Sequence, residues 1–344
     1  MRKIQVNGVE VGGSRTYIIA EAGSNHNGDI EIAKKLIKAA ADCNADAVKF
    51  QSFRAKDHYS KHTPHFQYLN GQSTYELIKS LEIDREWHKE LMKYAEENSI
   101  TFLSSPCDED AIEQLAELKI AAYKVASFDL SDLNLIRKMS SYGKPMILST
   151  GMADYADIQR AINTCQEEGN NQIILLQCTS LYPAPAHLSN LASILTMQKA
   201  FDCLVGYSDH TLGDHIPIAS VTMGACMIEK HFTLDQSLPG PDHSFAIEPV
   251  ELKDMIRKIR DVESATGDGI KNGPRIEERE MFDKGRRSLH TKRTLSKGEV
   301  ITKEDLYVKR PGYGISPCFI DYIIGMSVQN DILDDHWIRW EDLK

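Results

Sequence analysis

The chain has 344 residues, of which 42% are hydrophobic and 26% are charged, and its formal net charge is −10. A length above that of one average domain predicts one large domain and one small domain. The negative net charge argues against a nucleic-acid-binding surface, since the sequence has only one short basic run. Seven cysteines without a CxxC pair, and the lack of a signal peptide or a long apolar span, predict a protein of the reducing cytoplasm that does not enter a membrane.

Eight short apolar segments follow one another along the chain and predict buried strands. In order, they are residues 17–23, 45–53, 100–106, 121–127, 145–151, 172–178, 204–209 and 226–232. Amphipathic stretches between most of them, several opening with an aspartate that can cap a helix, predict helices. Eight strand–helix repeats over about 265 residues are typical of a (β/α)8 TIM barrel. An open, doubly wound sheet is the alternative, but no GxGxxG follows the first strand, so we favour the barrel.

The amino-acid composition changes after the predicted barrel, which spans residues 1–267. Residues 268–285 are rich in glycine and charge, as an exposed linker is. Residues 286–344 predict a small second domain. Because about 59 residues make a marginally stable domain, we expect it to dock on the mouth of a barrel, either its own or a neighbour's.

Polar and charged side chains recur at the carboxyl ends of the predicted strands, where a TIM barrel places its chemistry. They are Glu21, Lys49, Gln51, Ser104, Ser105, Lys124, Ser127, Ser149, Thr150, Thr179, Ser180, Ser208, His210 and His231. A single serine there is usually a turn residue. Two lysines are harder to explain, because burying an ammonium without an anionic partner is costly. Lysines together with hydroxyls predict a phosphate-bearing ligand.

Two histidines, His210 and His231, end consecutive predicted strands. The helix expected between these strands places both imidazoles side by side on one rim. Neutral imidazole is the commonest protein ligand for a divalent transition metal. With Asp209 and Asp242 nearby, the pair predicts a metal site; the alternative is two unrelated histidines.

Ten short motifs, spread over nearly the whole chain, carry a family resemblance. They are IIAEAGSNHNGD, ADAVKFQ, FLSSP, YKVASFD, KPMILSTGM, LLQCTSLYPAP, GYSDHTLG, IEKHFTLD, PGPDHSF and VKRPGYG. In this order they resemble the sialic acid (N-acetylneuraminate) synthase family, with its legionaminic and pseudaminic acid synthases and spore-coat polysaccharide protein E proteins. The resemblance implies a TIM barrel followed by a small antifreeze-like (SAF) domain, in a domain-swapped homodimer. It also implies that phosphoenolpyruvate, water and N-acetylmannosamine or a close analogue react to give a sialic-type acid and phosphate.

The resemblance implies a role for each matching residue. The implied catalytic set is Glu21, Asp129, His210 and His231. The two histidines would also bind the divalent ion, with manganese expected first and magnesium or cobalt as alternatives. Phosphoenolpyruvate would contact Lys49, Ser105, Lys124, Ser127, Ser149, Ser180 and Ser208. The amino sugar would contact Gln51, Tyr182, Asp242 and, from the neighbouring chain's SAF domain, Arg310.

Three positions depart from the family pattern. Asp129 stands where glutamate is usual, Ser105 where threonine is common and Ser180 where asparagine is common. The two serines retain a hydrogen-bonding group. The shorter aspartate puts a direct catalytic role for Asp129 in doubt, although a water could bridge the gap. Whether Glu21 or Asp129 activates the attacking water stays open.

Three other functions compete with this interpretation. The nearest is a synthase with a different aldehyde acceptor, such as a diacetamido-trideoxy hexose of the legionaminic or pseudaminic acid type. A non-catalytic sugar-binding or assembly protein could keep the same fold, but the metal histidines and both lysines are present. A metal-dependent hydrolase usually needs more carboxylate and histidine ligands than this rim supplies.

Overall fold

The computed structural model describes residues 2–64 and 73–344. They form two compact units, Met1–Gly267 and Asp268–Lys344. Among these described residues, no helix is both long and apolar enough to cross a membrane.

The first unit opens with a short hairpin that has no counterpart among the predicted elements. Strand β1 (Ile4–Val6) pairs antiparallel with β2 (Val9–Val11). Asn7 and Gly8 connect them with positive φ angles of 49° and 79°, as a two-residue hairpin turn requires. Its apolar side chains join those at the amino-terminal ends of the barrel strands in one buried cluster, which includes Ile4, Val6, Val11, Tyr17 and Ile19. The hairpin therefore closes this end of the barrel.

In the described part of the chain, eight parallel strands close into a barrel, which confirms the predicted fold. The strands are β3 Tyr17–Gly23, β4 Ala47–Ser52, β5 Thr101–Pro106, β6 Tyr123–Val125, β7 Met146–Ser149, β8 Ile173–Cys178, β9 Leu204–Asp209 and β10 Met227–His231. Neighbours in sequence are neighbours in the barrel, and β10 closes it against β3. In that closing pair His231 stands beside Glu21.

Helices follow the strands and pack around the barrel. They are α1 Ile30–Asp42, α2 Ala55–His58, α3 Thr74–Ser80, α4 Trp87–Glu97, α5 Glu109–Glu117, α6 Leu133–Ser140, α7 Tyr155–Glu167, α8 Ala192–Phe201, α9 His215–Thr222 and α10 Pro249–Thr266. The side chains of Asp29, Asp108 and Asp154 accept bonds from first-turn backbone N–H groups. These caps satisfy donors that a helix leaves unpaired.

The second unit has its own apolar core. Helix α11 (Arg279–Gly285) lies within the segment predicted as a linker. Strands β11 (Ser288–Thr291) and β12 (Leu306–Lys309) pair antiparallel, and α12 spans Ile320–Ile323. The core includes Leu289, Leu295, Ile301, Leu306, Ile315, Val328 and Ile338.

Candidate functional site

A cavity of about 490 Å³ lies at the carboxyl ends of the barrel strands. Every site residue predicted in the barrel unit lines it: Glu21, Lys49, Gln51, Ser105, Lys124, Ser127, Asp129, Ser149, Ser180, Tyr182, Ser208, His210, His231 and Asp242. These residues are far apart in sequence, and the barrel brings them to one mouth. Arg310 belongs to the second unit, where its Nε donates to the Gly285 carbonyl over 2.6 Å.

Two buried lysines lie on the floor of this cavity, each beside a carboxylate. Lys49 Nζ is 2.7 Å from Glu21 Oε2 and donates to Ser105 Oγ over 3.1 Å. Lys124 Nζ donates to Ser149 Oγ over 2.7 Å. Glu229 lies between the lysines, with its carboxylate oxygens 3.7 Å from Lys49 Nζ and 3.6 Å from Lys124 Nζ. The floor therefore holds two cations whose donors converge on one region.

Burial dominates the ionisation of Lys124 and Glu21. Burial lowers the pKa of Lys124 below its ordinary value, even though Glu229 acts in the opposite direction. Burial likewise raises the pKa of Glu21, against the effect of the Lys49 ammonium. A group whose charged form is disfavoured by desolvation gains from an opposite charge brought close to it. An anionic ligand at the floor would supply that charge to Lys124.

Two serine hydroxyls and a glycine form a cradle next to the lysines. Ser127 Oγ accepts a hydrogen bond from the Gly151 N–H over 3.0 Å. Ser180 Oγ is buried and has no hydrogen-bond partner among the described residues. A Cβ on residue 151 would stand 2.3 Å from Ser180 Oγ and 2.8 Å from Ser127 Oγ. The space that both hydroxyls face is therefore open because residue 151 has no side chain.

We expect Gly151→Ala to raise the KM for phosphoenolpyruvate about tenfold to a hundredfold. The added methyl forces both serine hydroxyls to turn away, and losing hydrogen bonds to a charged group costs about 1.5–3 kcal/mol each. Steady-state kinetics with phosphoenolpyruvate varied check this. Gly285→Ala is the matched control, since its Cβ would meet nothing closer than 3.7 Å. An unchanged KM in a folded Gly151→Ala protein would contradict the cradle.

The two predicted metal-binding histidines lie side by side. Their ring centroids are 5.3 Å apart. His210 Nδ1 donates to the Thr179 carbonyl over 2.8 Å, so Nε2 carries the lone pair when the ring is neutral. Burial opposes the charged ring, but the contact with Cys178 raises the pKa of His210 above its ordinary value. Burial lowers the pKa of His231 well below its ordinary value, so this ring is neutral. Neutral imidazoles oriented through their second nitrogen are typical metal ligands.

The surroundings of His231 also fit a bound cation. Its Nδ1 is buried without a hydrogen-bond partner in the described ranges, and Asp242 Oδ2 lies 3.7 Å away. Burial raises the pKa of Asp242 to about 6. Asp209, by contrast, faces away from this site, because its Oδ2 is in a buried ion pair with Lys230 Nζ at 2.5 Å. The residues that would hold an ion here are therefore the two imidazoles, with Asp242 beside them.

Three residues expected to face the amino sugar or the attacking water lie together. Gln51 Nε2 donates to Glu21 Oε1 over 2.9 Å. A Cβ on Gly23 would lie 3.4 Å from polar atoms of Gln51, Glu21 and Asp242 alike. The Tyr182 ring lies against His210, with centroids 4.2 Å apart. Asp129 lines the same cavity but contacts Cys107 and His58, at 3.6 Å and 4.0 Å.

Three other polar residues of the predicted rim bond to the protein itself. Ser104 Oγ is 2.6 Å from Ser52 Oγ, while Thr150 Oγ1 and Thr179 Oγ1 donate to backbone carbonyls. These three are structural, as the turn-residue alternative expects.

Glu229 is the main site residue absent from the sequence-based predictions. It lines the cavity and accepts a hydrogen bond from Ser208 Oγ over 3.0 Å. Side chains alternate along a strand, so residue 229 must share the inward face of His231. The two-residue spacing between Glu229 and His231 could have indicated that Glu229 faces the cavity. A glutamate in an apolar run is, however, easily assigned to the outer face of the barrel.

Comparison with known proteins finds relatives that match over nearly the whole chain. Residues 36–271 match the NeuB family, and residues 286–344 match the SAF domain. An N,N'-diacetyllegionaminic acid synthase of Campylobacter jejuni is 42% identical, over 94% of this chain and 99% of that protein. A protein of the same name from Legionella pneumophila is 39% identical, over 99% of this chain and 98% of that protein. The crystal structure of the Bacillus subtilis spore coat polysaccharide biosynthesis protein SpsE matches with a TM-score of 0.69 and 36% identity, over 100% of this chain and 99% of that one.

The match to the NeuB family, with synthases among the relatives, defines a phosphoenolpyruvate-condensing synthase. The chain belongs to the NeuB family, and it is a phosphoenolpyruvate-dependent nonulosonic acid synthase. The family resemblance carried by the ten motifs is thereby confirmed.

Proposed function

We propose that this synthase condenses phosphoenolpyruvate with a neutral N-acetylated hexosamine, such as N-acetylmannosamine or a close analogue, and water, releasing phosphate. The observation that carries the proposal is the convergence of Lys49, Lys124 and the serine cradle on one floor, beside the His210–His231 pair. The lysines and hydroxyls suit the charged end of phosphoenolpyruvate. The histidine side of the cavity is left for the sugar.

In this proposal, the lysines bind phosphoenolpyruvate and the serine hydroxyls orient it. Ser105 and Ser149 already bond to Lys49 and Lys124, so each lysine is held where an anion can reach it. Ser127, Ser180 and Ser208 add hydroxyls around the same floor. Fixing both substrates in one cavity replaces an encounter in solution with a positioned reaction.

The donor set at His210 and His231 fits a divalent ion, manganese in the first place with magnesium or cobalt as alternatives. When bound, such an ion supplies Lewis-acid polarisation of the acceptor's aldehyde oxygen. Carbon 3 of phosphoenolpyruvate then forms the new bond to the aldehyde carbon, water adds at carbon 2, and phosphate leaves with its bridging oxygen. In this proposal Glu21, rather than Asp129, accepts the proton of the water. Its carboxylate contacts Lys49 and Gln51, and burial raises its pKa.

We expect Lys124→Ala to raise the KM for phosphoenolpyruvate about tenfold to a hundredfold and to leave the KM for the sugar nearly unchanged. Charge-assisted hydrogen bonds contribute about 1.5–3 kcal/mol each. Lys49→Ala should act in the same direction, with a further loss because Glu21 is then left without its ion-pair partner. Steady-state kinetics with each substrate varied in turn provide the check. Equal effects on both KM values would contradict the assignment.

One flank of the cavity favours a second, related acceptor. Phe53, Leu77, Ile78 and Leu81 line it. Among the described lining residues, Lys49 and Lys124 are the only lysines or arginines. A phosphate on the sugar would therefore find no further lysine or arginine among the described lining residues, whereas methyl and acetyl groups would contact apolar carbon. Together with the two relatives named N,N'-diacetyllegionaminic acid synthase, this supports a diacetamido-trideoxy hexose as the alternative acceptor.

The experiment that tests the function is an assay of phosphate release from phosphoenolpyruvate with manganese across a panel of sugars. The panel contains N-acetylmannosamine, its 6-phosphate and a 2,4-diacetamido-2,4,6-trideoxy hexose. We expect turnover with a neutral sugar and little with the phosphate ester. Release that does not depend on any sugar, or a preference for the 6-phosphate, would overturn the proposal.

A further inference from the structure

Three potential metal ligands meet on the cavity wall, away from the histidine pair. His58 ends α2, Cys107 directly follows β5, and Asp129 ends the 3-10 turn after β6. Their ligand atoms all lie within 4.8 Å of one another. The three residues follow β4, β5 and β6, which are consecutive in the barrel. His210, by contrast, directly follows β9, and His231 ends β10. The cluster therefore occupies the other side of the rim.

The distances in the cluster are close to those of a tetrahedral site. Zinc bonds of about 2.0–2.3 Å to nitrogen, oxygen and sulfur separate the ligand atoms by roughly 3.3–3.7 Å. Cys107 Sγ is 3.6 Å from Asp129 Oδ2, and His58 Nδ1 is 4.0 Å from Asp129 Oδ1. A small closure of His58 toward the other two would complete a three-ligand set. Its fourth position would face the cavity.

In the described ranges these three groups have few other hydrogen-bond partners, one being the Ser105 carbonyl, 3.8 Å from Cys107 Sγ. Within the described residues, the hydrogen bond that Asp129 accepts through its carboxylate comes from the weakly donating Cys107 thiol. The side chains of His58 and Asp129 are only 20% and 14% exposed. The His58 ring is stacked on Phe53, with centroids 6.0 Å apart, which holds the ring in place. A partly buried carboxylate and thiol with so few hydrogen bonds have lone pairs available to coordinate a metal cation.

We propose that His58, Cys107 and Asp129 form a second cation site, selective for a thiophilic ion such as Zn²⁺ over Mn²⁺. Thiolate with imidazole suits zinc and cobalt, whereas manganese prefers oxygen ligands. Binding converts the thiol to a thiolate and releases its proton to solvent. An ion there holds the Asp129 carboxylate and projects into the cavity that the acceptor sugar is proposed to fill. Zinc therefore inhibits the synthase by competing with the sugar.

Cobalt titration of the full-length protein tests the site without relying on activity. Cobalt bound by a thiolate shows a charge-transfer absorption band that purely nitrogen and oxygen ligands lack. We expect this band in the wild type and its loss in Cys107→Ser. Cys178→Ser is the matched control, because Cys178 is the other thiol lining the cavity and lies 3.8 Å from His210 Nδ1. No band in the wild type, a band that survives in Cys107→Ser, or one that vanishes in Cys178→Ser would each overturn the proposal.

A second variant guards against misfolding of Cys107→Ser. His58→Asn should keep the thiolate band but weaken cobalt binding at least about tenfold, since a ligand is lost. Unchanged affinity would remove His58 from the site and overturn the three-ligand set.

The inhibition rests on the proposed function and is measured separately. With manganese saturating, zinc should raise the apparent KM for the sugar, and Cys107→Ser should raise the inhibitory zinc concentration at least about tenfold. Equal inhibition of wild type and variant would place the inhibitory zinc elsewhere and overturn the competition. If no sugar is turned over, the proposed function fails, while the cobalt band still decides the metal site.

Discussion

His231→Ala and His210→Ala are each expected to reduce sugar-dependent phosphate release to background. The ring centroids of the two imidazoles are 5.3 Å apart. Among the described lining residues, His58 is the third histidine. Removing either leaves one nitrogen ligand for the ion. Chelation of the wild type should produce the same loss, and added manganese should restore the wild type but neither variant.

His215→Ala is the matched control for this prediction. His215 stands five residues beyond His210, begins α9 and is exposed. It should keep wild-type turnover. Metal content measured by elemental analysis separates loss of the ion from misfolding, because each site variant should bind less manganese while its thermal unfolding stays cooperative. Full activity in chelator-treated enzyme would exclude the metal from the reaction.

Mixing two inactive variants, His231→Ala and Arg310→Ala, is expected to restore activity. The prediction assumes a homodimer in which the SAF domain of one chain covers the barrel mouth of the other, so that Arg310 contacts the partner's sugar. The guanidinium offers several donors in fixed directions, suited to an acetamido carbonyl and hydroxyls. Each heterodimer then has one site with both lesions and one site with neither. About half of the native activity per heterodimer should return.

The control for mixing is to dissociate and re-associate each variant alone, which should recover nothing. Arg310 is exposed within its own unit, and its Nε donates to a backbone carbonyl, so the alternative is that it only braces the loop. In that case Arg310→Ala keeps activity by itself. If the SAF domain covers its own barrel, every site retains one lesion. Absence of recovery, with subunit exchange verified by native mass spectrometry, would therefore exclude the swapped arrangement.

The barrel and most of its mouth can be predicted from the amino-acid sequence because two physical patterns coincide. Strands buried on both faces are predominantly apolar, so the eight segments are visible as short apolar runs with few polar residues. A serine in or after such a run can be a turn residue, but a lysine there needs an anionic partner, because burying an unpaired charge is costly. Lys49, Lys124 and His231 are therefore recognisable as site residues from their positions in the chain.

Features that depend on contacts between distant loops are not predictable in this way. The cradle at Gly151 needs the positions of Ser127 and Ser180 in space. The cluster of His58, Cys107 and Asp129 joins three loops whose relative placement only the closed barrel defines. The hairpin at residues 4–11 escapes prediction because its strands have three residues each, too few for a periodic signal, although Asn7-Gly8 is a favoured hairpin turn.

The hairpin that closes the amino-terminal end of the barrel has a consequence for kinetic order. With that end filled by Ile4, Val6 and Val11, substrates reach the floor through the mouth. Lys49 and Lys124 are 3% and 2% exposed at that floor, beneath the residues expected to contact the sugar. A sugar bound first would obstruct the path to the lysines. We therefore expect phosphoenolpyruvate to load before the sugar and the sugar-derived acid to depart before phosphate, an ordered sequence that would follow from a barrel with one open end.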